Sequence, residues 1–218
     1  MQANLTTYLC ASFHQRGSPL AERIKTFGLT GGIASGKSSA LDVFKTLGIT
    51  TLDTDYLART VIAPGTEGVR VLQTAIGGEF FLDEKLDRSI LRDKMYADPH
   101  LRSQVESVIH PLVFAEVKLW LSAKISSPYR ILCSPLLFEK KQDQNLDGVI
   151  VITLNAAEQL KRAQLRDHKS LDQIKAVMAA QMPEKKRVEQ ALYLINNNGN
   201  EDALKSQIEL LHHRLLHD

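Results

Sequence analysis

Between an apolar run and a helical pattern lie Gly31-Gly32-Ile33-Ala34-Ser35-Gly36-Lys37-Ser38, and this octet restricts how the chain can begin its fold. It satisfies G-x-x-x-x-G-K-[ST], the spacing at which backbone N–H groups wrap the phosphates of a nucleotide. Ile24 to Thr30 reads as a short strand entering the loop. Ser39 to Leu47 reads as a helix leaving it, with Leu41, Phe44 and Leu47 at helical spacing. Gly31 and Gly36 are expected to adopt backbone angles that other residues reach only with strain. Lys37 would set a charge against the outer phosphates, and the Ser38 hydroxyl can ligate Mg²⁺. Beyond them the helix N-terminus, from Ser39, adds its dipole and free N–H groups.

The 218 residues are enough for one good core with an inserted subdomain. A net charge of +2 provides no broad basic field for nucleic acid or a membrane surface. Cys10 and Cys133 stand too far apart for a metal-ligand pattern, and Cys133, inside the apolar run RILCS, reads as a small buried residue. No apolar stretch approaches the roughly eighteen residues of a membrane span. Met1 to Glu22 carries Leu5, Tyr8, Leu9 and Phe13, but polar residues interrupt them and no basic segment precedes them. That makes a poor signal peptide. A cytoplasmic protein is expected, with residues 1–23 as a mobile N-terminal extension.

Past the first helix, Gly48 gives a stop and Ile49 to Asp53 a second strand, ending in Asp53-Thr54-Asp55. Side chains two apart on an extended segment point the same way, so both carboxylates could face one site at a strand's carboxyl end. Either could instead cap the helix that follows, from Tyr56 to Val61. Residues 63–98 show breaks at Pro64-Gly65 and Gly77-Gly78 around helical segments. A longer helix opens at Asp98-Pro99 with Val105, Val108, Ile109, Leu112, Val113, Val117 and Leu121 as its stripe. Pro111 should kink that helix or begin another. This block has no strand signal and interrupts an alternating β/α chain, as an inserted substrate-binding subdomain would.

The sheet resumes at Arg130 to Ser134, which runs into Pro135-Leu136-Leu137-Phe138-Glu139, and continues with the apolar run Gly148 to Leu154. Asn155-Ala156-Ala157-Glu158 and Ser170-Leu171-Asp172-Gln173 open two helices, the first carrying Arg162 and Arg166 on one face. With the turn at Asp167 to Lys169 they suggest a lid that closes arginines over phosphates. In the run Glu184-Lys185-Lys186-Arg187, Lys185 and Lys186 read as a solvated face. Ala191 to Asn196 gives a last strand, and Glu201 to Leu216 a closing helix with Leu204, Ile208, Leu211 and Leu215 inward. His212, His213 and His217 lie off that stripe.

Taken in order, these residues resemble the dephospho-coenzyme A kinase family. The resemblance runs from Gly28 through Ser38, Asp53-Thr54-Asp55 with Ala58-Arg59, His110-Pro111 and Pro135 to Glu139. It closes with Arg162 and Arg166, Ala180-Gln181 and Asn196-Asn197-Asn198-Gly199. Leu192 departs from the family pattern, which has an aspartate there. The resemblance implies an α/β, three-layer P-loop NTPase fold with a five-stranded parallel sheet. The nucleotide-binding core would span 24–61, 126–157 and 189–218, a helical coenzyme-A-binding subdomain 62–125, and a lid 158–188. It implies transfer of the ATP γ-phosphoryl group to the ribose 3′-hydroxyl of dephospho-coenzyme A by a monomer. Gly31 to Ser39 would bind ATP, with Mg²⁺ on Ser38. Lys37, Asp55, Arg162 and Arg166 would be catalytic. Asp53, Asp55, Arg59, His110, Pro135, Leu136, Leu137 and Glu139 would meet the substrate. A GTP-binding switch would need N-K-x-D and D-x-x-G, and the chain has neither. A kinase of another small metabolite or of a nucleoside monophosphate, and an ATP-binding regulator, are the remaining alternatives.

Overall fold

The apolar runs that alternate with helical segments become the strands of one parallel sheet. The computed structural model describes residues 24–82, 85–167 and 170–217. The N-terminal extension expected over 1–23, Cys10 and the tip of the lid turn at 168–169 lie outside the described residues. In chain order the elements are β1 (Lys25–Gly31), α1 (Lys37–Thr46), β2 (Thr50–Asp53), α2 (Thr54–Thr60), α3 (Glu67–Ile76), β3 (Phe81–Leu82), β4 (Lys85–Leu86), α4 (Arg88–Ala97) and α5 (Pro99–Ser122). There follow β5 (Tyr129–Cys133), β6 (Gly148–Thr153), α6 (Ala156–Asp167), α7 (Leu171–Ala180), α8 (Glu184–Glu189), β7 (Tyr193–Asn196) and α9 (Glu201–Leu215).

The sheet order is β2-β5-β1-β6-β7, and each neighbouring pair is parallel. The chain leaves β1 toward β2 on one side and leaves β5 toward β6 on the other. The carboxyl ends of these two neighbours therefore open a crevice, the usual ligand position in such sheets. Phe27, Leu29, Ile131, Cys133, Ile150 and Ile152 pack under Ala40, Leu41 and Phe44 of α1 and Leu204, Ile208 and Leu211 of α9. Val149 and Val151, the alternate residues of β6, pack instead with Leu137, Phe138, Leu146 and Met182. Each fully buried Leu, Ile, Val or Phe among them contributes about 1.5–3 kcal/mol. Burial, with Asp53 nearby, pushes the Cys133 thiol up to about 12, so it remains a packed thiol.

The segment between β2 and β5 has a second apolar cluster, built on Ile62, Leu72, Phe80, Leu86, Leu91, Leu101 and Val105. Asp87 and Asp98 cap α4 and α5 by accepting from the first free N–H groups of each helix. Two expectations are corrected here. The block contains strands, because β3 and β4 form an antiparallel pair; two residues each are too few for alternation to show. A second helix does not begin at Pro111, since α5 runs through it from Pro99 to Ser122. Arg130 of β5 ties this block to the sheet. It donates to Leu121 O at 2.9 Å and to Ala123 O, and lies 5.5 Å over the Trp120 ring.

Candidate active site

The octet Gly31 to Ser38 turns from β1 into α1, and its backbone geometry differs in detail from the expectation. Gly36 has φ 96°, and a Cβ there would strike Asn197 Nδ2. The other left-handed residue is Ala34 at φ 55°. Gly31 is needed for space instead of conformation: a Cβ would lie 2.5 Å from Ser35 Oγ and 2.6 Å from Ile152 O. Asn197, at the end of β7, braces the loop by donating from Nδ2 to Ser35 O at 2.8 Å. Lys37 opens α1, two residues before the expected start, and Nζ donates to Gly31 O and Gly32 O, both at 2.9 Å. Burial lowers its pKa; Asp55 offsets part of that, while Arg187 and Arg166 push it further down. Ser38 and Ser39 are exposed on the same turn.

At the end of β2, Asp53 Oδ1 accepts from Asp55 N at 2.8 Å and Tyr56 N at 3.2 Å, so Asp53 is the N-cap of α2. The extended-segment argument for the pair is therefore corrected. Asp55 lies in the first turn of a helix that already begins at Thr54, and the capping turn holds the two carboxylates near each other. Asp55 remains accessible from the cleft, yet its walls withdraw it from bulk water enough to raise its pKa. Asp53 adds repulsion, while Lys37, Arg59 and Lys140 pull the value back. Two carboxylates and three cations thus lie near enough to act on one another.

His110 is exposed on α5, where Lys140 Nζ donates to its Nε2 at 2.9 Å. Burial and then Lys140 lower the His110 pKa, which leaves a neutral ring with its proton on Nδ1. Lys140 thus links His110 to the field around Asp55. Sequence reasoning passed over it, although a cation directly after Glu139 at a strand end was a usable signal. Arg59 is exposed on α2, and its carbonyl accepts from Arg88 Nη2 at 2.9 Å.

The segment after β5 does two jobs. Glu139 Oε1 accepts from Met182 N at 2.6 Å, and Pro135 O accepts from Gln181 Nε2 at 3.5 Å, so it holds the end of the lid. Pro135 and Leu136 are half-buried. Leu137 is 0 % exposed and packs beneath β1, with its Cδ1 2.6 Å from the place a Cβ on Gly28 would occupy. The expectation that Leu137 meets substrate is corrected: its side chain belongs to the core.

On α6, Arg162 Nε donates to Glu158 Oε1 at 2.9 Å, and Arg166 donates from Nε and Nη2 to Asp167 at 2.7 and 3.0 Å. Both lid arginines are thus held by carboxylates of their own helix. The lid sits on the phosphate loop through an apolar contact, in which Ile33 and Ala34 join Leu160, Ala163, Ile174, Val177 and Met178. Ile33 N donates to Gln181 Oε1 at 2.9 Å. Gly32 lies so close to Gln159 and Arg187 that a Cβ would collide with Gln159 Oε1. Gln159 and Arg187 carried no recognisable signal, since each is one polar residue in a polar helix.

The loop, with Lys37 and the helix N-terminus behind it, has the chemistry of a phosphate site. A family model described as dephospho-CoA kinase matches residues 25–203. The chain is 38 % identical over 190 residues to the dephospho-CoA kinase of Idiomarina loihiensis, covering 87 % of this chain and 94 % of that one. It is 37 % identical over 193 residues to that of Thiobacillus denitrificans, covering 88 % and 95 %. Among solved structures, TT1252 from Thermus thermophilus superposes with a TM-score of 0.73 at 28 % identity over 89 % of this chain and 99 % of that one. Shikimate kinase from Acinetobacter baumannii, at 13 % identity and a TM-score of 0.52 over 90 % and 95 %, shares the fold alone. The chain belongs to the dephospho-CoA kinase family.

Proposed function

We propose that this chain transfers the γ-phosphoryl group of ATP to the ribose 3′-hydroxyl of dephospho-coenzyme A, giving coenzyme A and ADP in the last step of coenzyme A biosynthesis. The observation that carries the reading is the dephospho-CoA kinase family match over residues 25–203, on a fold that sets Lys37 just beyond β1 and Asp55 just beyond β2.

Phosphoryl transfer needs in-line positioning and charge neutralisation more than covalent help from the protein. The loop amides from Gly31 to Ser39 hold the phosphate chain. Lys37 Nζ exchanges the Gly31 and Gly32 carbonyls for phosphate oxygens. Asp55 accepts and orients the 3′-hydroxyl, and its raised pKa makes it a better proton acceptor than an ordinary aspartate. Arg162 and Arg166 leave Glu158 and Asp167 to meet the transferring charge. Arg59, His110, Pro135, Leu136 and Glu139 lie on the acceptor side. The separate apolar cluster between β2 and β5 supports residues 62–125 as the acceptor subdomain. Contact of Ile33 and Ala34 with α6 and α7 supports 158–188 as the lid over the core formed by 24–61, 126–157 and 189–218.

Mg²⁺ fits the donors present. Ser38 offers an exposed hydroxyl, and Asp53 caps α2 through Oδ1 alone. Mg²⁺ is commonly held by one or two carboxylates together with substrate phosphates and water. No group of three or more His, Cys, Asp or Glu converges among the described residues, which suits an ion that arrives with its nucleotide. Bound there, it would neutralise charge on the phosphates. A monomeric, cytoplasmic enzyme completes the proposal; no helix among the described residues is long and apolar enough to cross a membrane.

The test is ADP release measured with dephospho-coenzyme A, adenosine and shikimate as parallel acceptors. Turnover is expected with dephospho-coenzyme A. Comparable kcat/KM on adenosine or shikimate would assign the acceptor site to a different class of metabolite.

A further inference from the structure

We infer that Arg187 is a further phosphate-contacting cation of this site, its guanidinium meeting the nucleotide's phosphate chain beside Gly32. The inference rests on the phosphoryl-transfer reading above and adds a residue to it.

Arg187 lies in α8 and is 4 % exposed. Burying a guanidinium is costly unless its charge is paired and its five N–H groups are bonded. Here Nε and Nη1 are buried with no hydrogen-bond partner. The acids whose fields reach it are engaged with other groups: Glu139 Oε1 with Met182 N at 2.6 Å, and Glu184 Oε2 with Gln159 Nε2 at 3.4 Å. Arg130, equally buried at 4 %, shows how a structural arginine differs, since two carbonyls and the Trp120 ring hold it in place. Arg187 has no such set of acceptors.

Its position supplies the ligand. Nη2 comes within 3.1 Å of where a side chain on Gly32 would begin, so the guanidinium lies against the phosphate loop itself. It also lines a cavity of about 260 Å³ walled by α6, α7, α8 and the turn before α8, with Gln159, Gln181, Met182 and Glu184. Lys37 feels the charges of both Arg187 and Arg166. A guanidinium fork matches phosphate oxygens in pairs, which an ammonium cannot do.

Arg187→Met and Arg187→Lys in the full chain test this by three readings: melting temperature without ligand, its rise on adding ATP or tripolyphosphate, and steady-state kinetics. Removing an uncompensated buried charge should leave the ligand-free Arg187→Met protein as stable as wild type or more so. Its rise with ATP and tripolyphosphate should shrink, and kcat/KM for ATP should fall about 10²–10³-fold. Arg187→Lys should recover part of the loss. A strut would behave the other way, with a lower melting temperature and an intact phosphate response, and that result overturns the inference. So does wild-type kcat/KM in Arg187→Met. If Arg187→Met does not fold, full activity in Arg187→Lys overturns the inference, and reduced kcat/KM in folded Arg187→Lys supports it. The tripolyphosphate response involves no acceptor, so it tests Arg187 even if dephospho-coenzyme A is not the wild-type substrate.

Discussion

Withdrawing Asp55 from water beside Asp53 raises its pKa, so its anion is less favourable in the folded protein than in the unfolded chain. The folded value exceeds the unfolded one, so the associated stability is present at low pH and is lost as pH rises through the folded pKa. Asp55→Asn resembles the protonated form. At neutral pH the ligand-free variant is expected to melt at or above wild type, and the gap should close as pH falls below the ordinary aspartate range. A variant that melts well below wild type at neutral pH would contradict this. Turnover should move in the opposite direction, down about 10²–10⁴-fold, with ATP and dephospho-coenzyme A binding retained. Asp53→Asn keeps a good N-cap residue, so it should fold normally and show a raised Mg²⁺ requirement that excess metal repairs. Full rescue of Asp55→Asn by Mg²⁺ would remove Asp55 from the proton-accepting role. Lys37→Ala should abolish turnover and weaken ATP binding in a protein that still folds; preserved activity would displace the phosphate site from this loop.

The lid elements lie against the loop, with their two arginines still bonded to Glu158 and Asp167. Arginines that change partner late should serve the transition state more than the ground state. Arg162→Ala and Arg166→Ala are accordingly expected to lower kcat with little change in the KM for dephospho-coenzyme A; raised KM at constant kcat would make them plain binding residues. Gly32→Ala would push a methyl group into Gln159 Oε1, so kcat should drop, and Gln159→Ala should restore part of the loss in the double variant. Simple addition of the two effects would show that the lid does not seat through this contact. Much at this scale was legible in the sequence. The phosphate loop has a fixed spacing, and β6 is an apolar run because both of its faces are covered. The inward turn of Arg187 was not legible: only Lys185 and Lys186 of the run read as a solvated face, and which member faces inward depends on how α8 sits on Gln159 and Gly32. Of the two arrangements open for Asp53 and Asp55, the structure has the capping one for Asp53, not an extended pair. Asp53 caps α2, so the helix begins two residues earlier than expected and Asp55 is carried into its first turn.

For the whole molecule, two apolar clusters divide the labour. One fixes the sheet with α1 and α9 and thereby the carboxyl-end crevice, and the other gives the α2–α5 block a core of its own. The β/α alternation predicted the first from sequence, and the stripe of α5 announced its own share of the second, Val105, Val108, Ile109 and Leu112. The β3–β4 pair was invisible because hydrogen bonding between two-residue strands leaves no periodic trace. Together they place the phosphate loop, Asp55 and the loop after β5 around one cleft, and the account stands on a single transfer across it. Full-length protein incubated with ATP, Mg²⁺ and dephospho-coenzyme A should yield a new phosphomonoester on the ribose 3′-oxygen, located by phosphorus NMR. Its amount should equal the ADP released, and it should be absent with Lys37→Ala. ADP released without that phosphomonoester, or with phosphate at another position, would contradict the account.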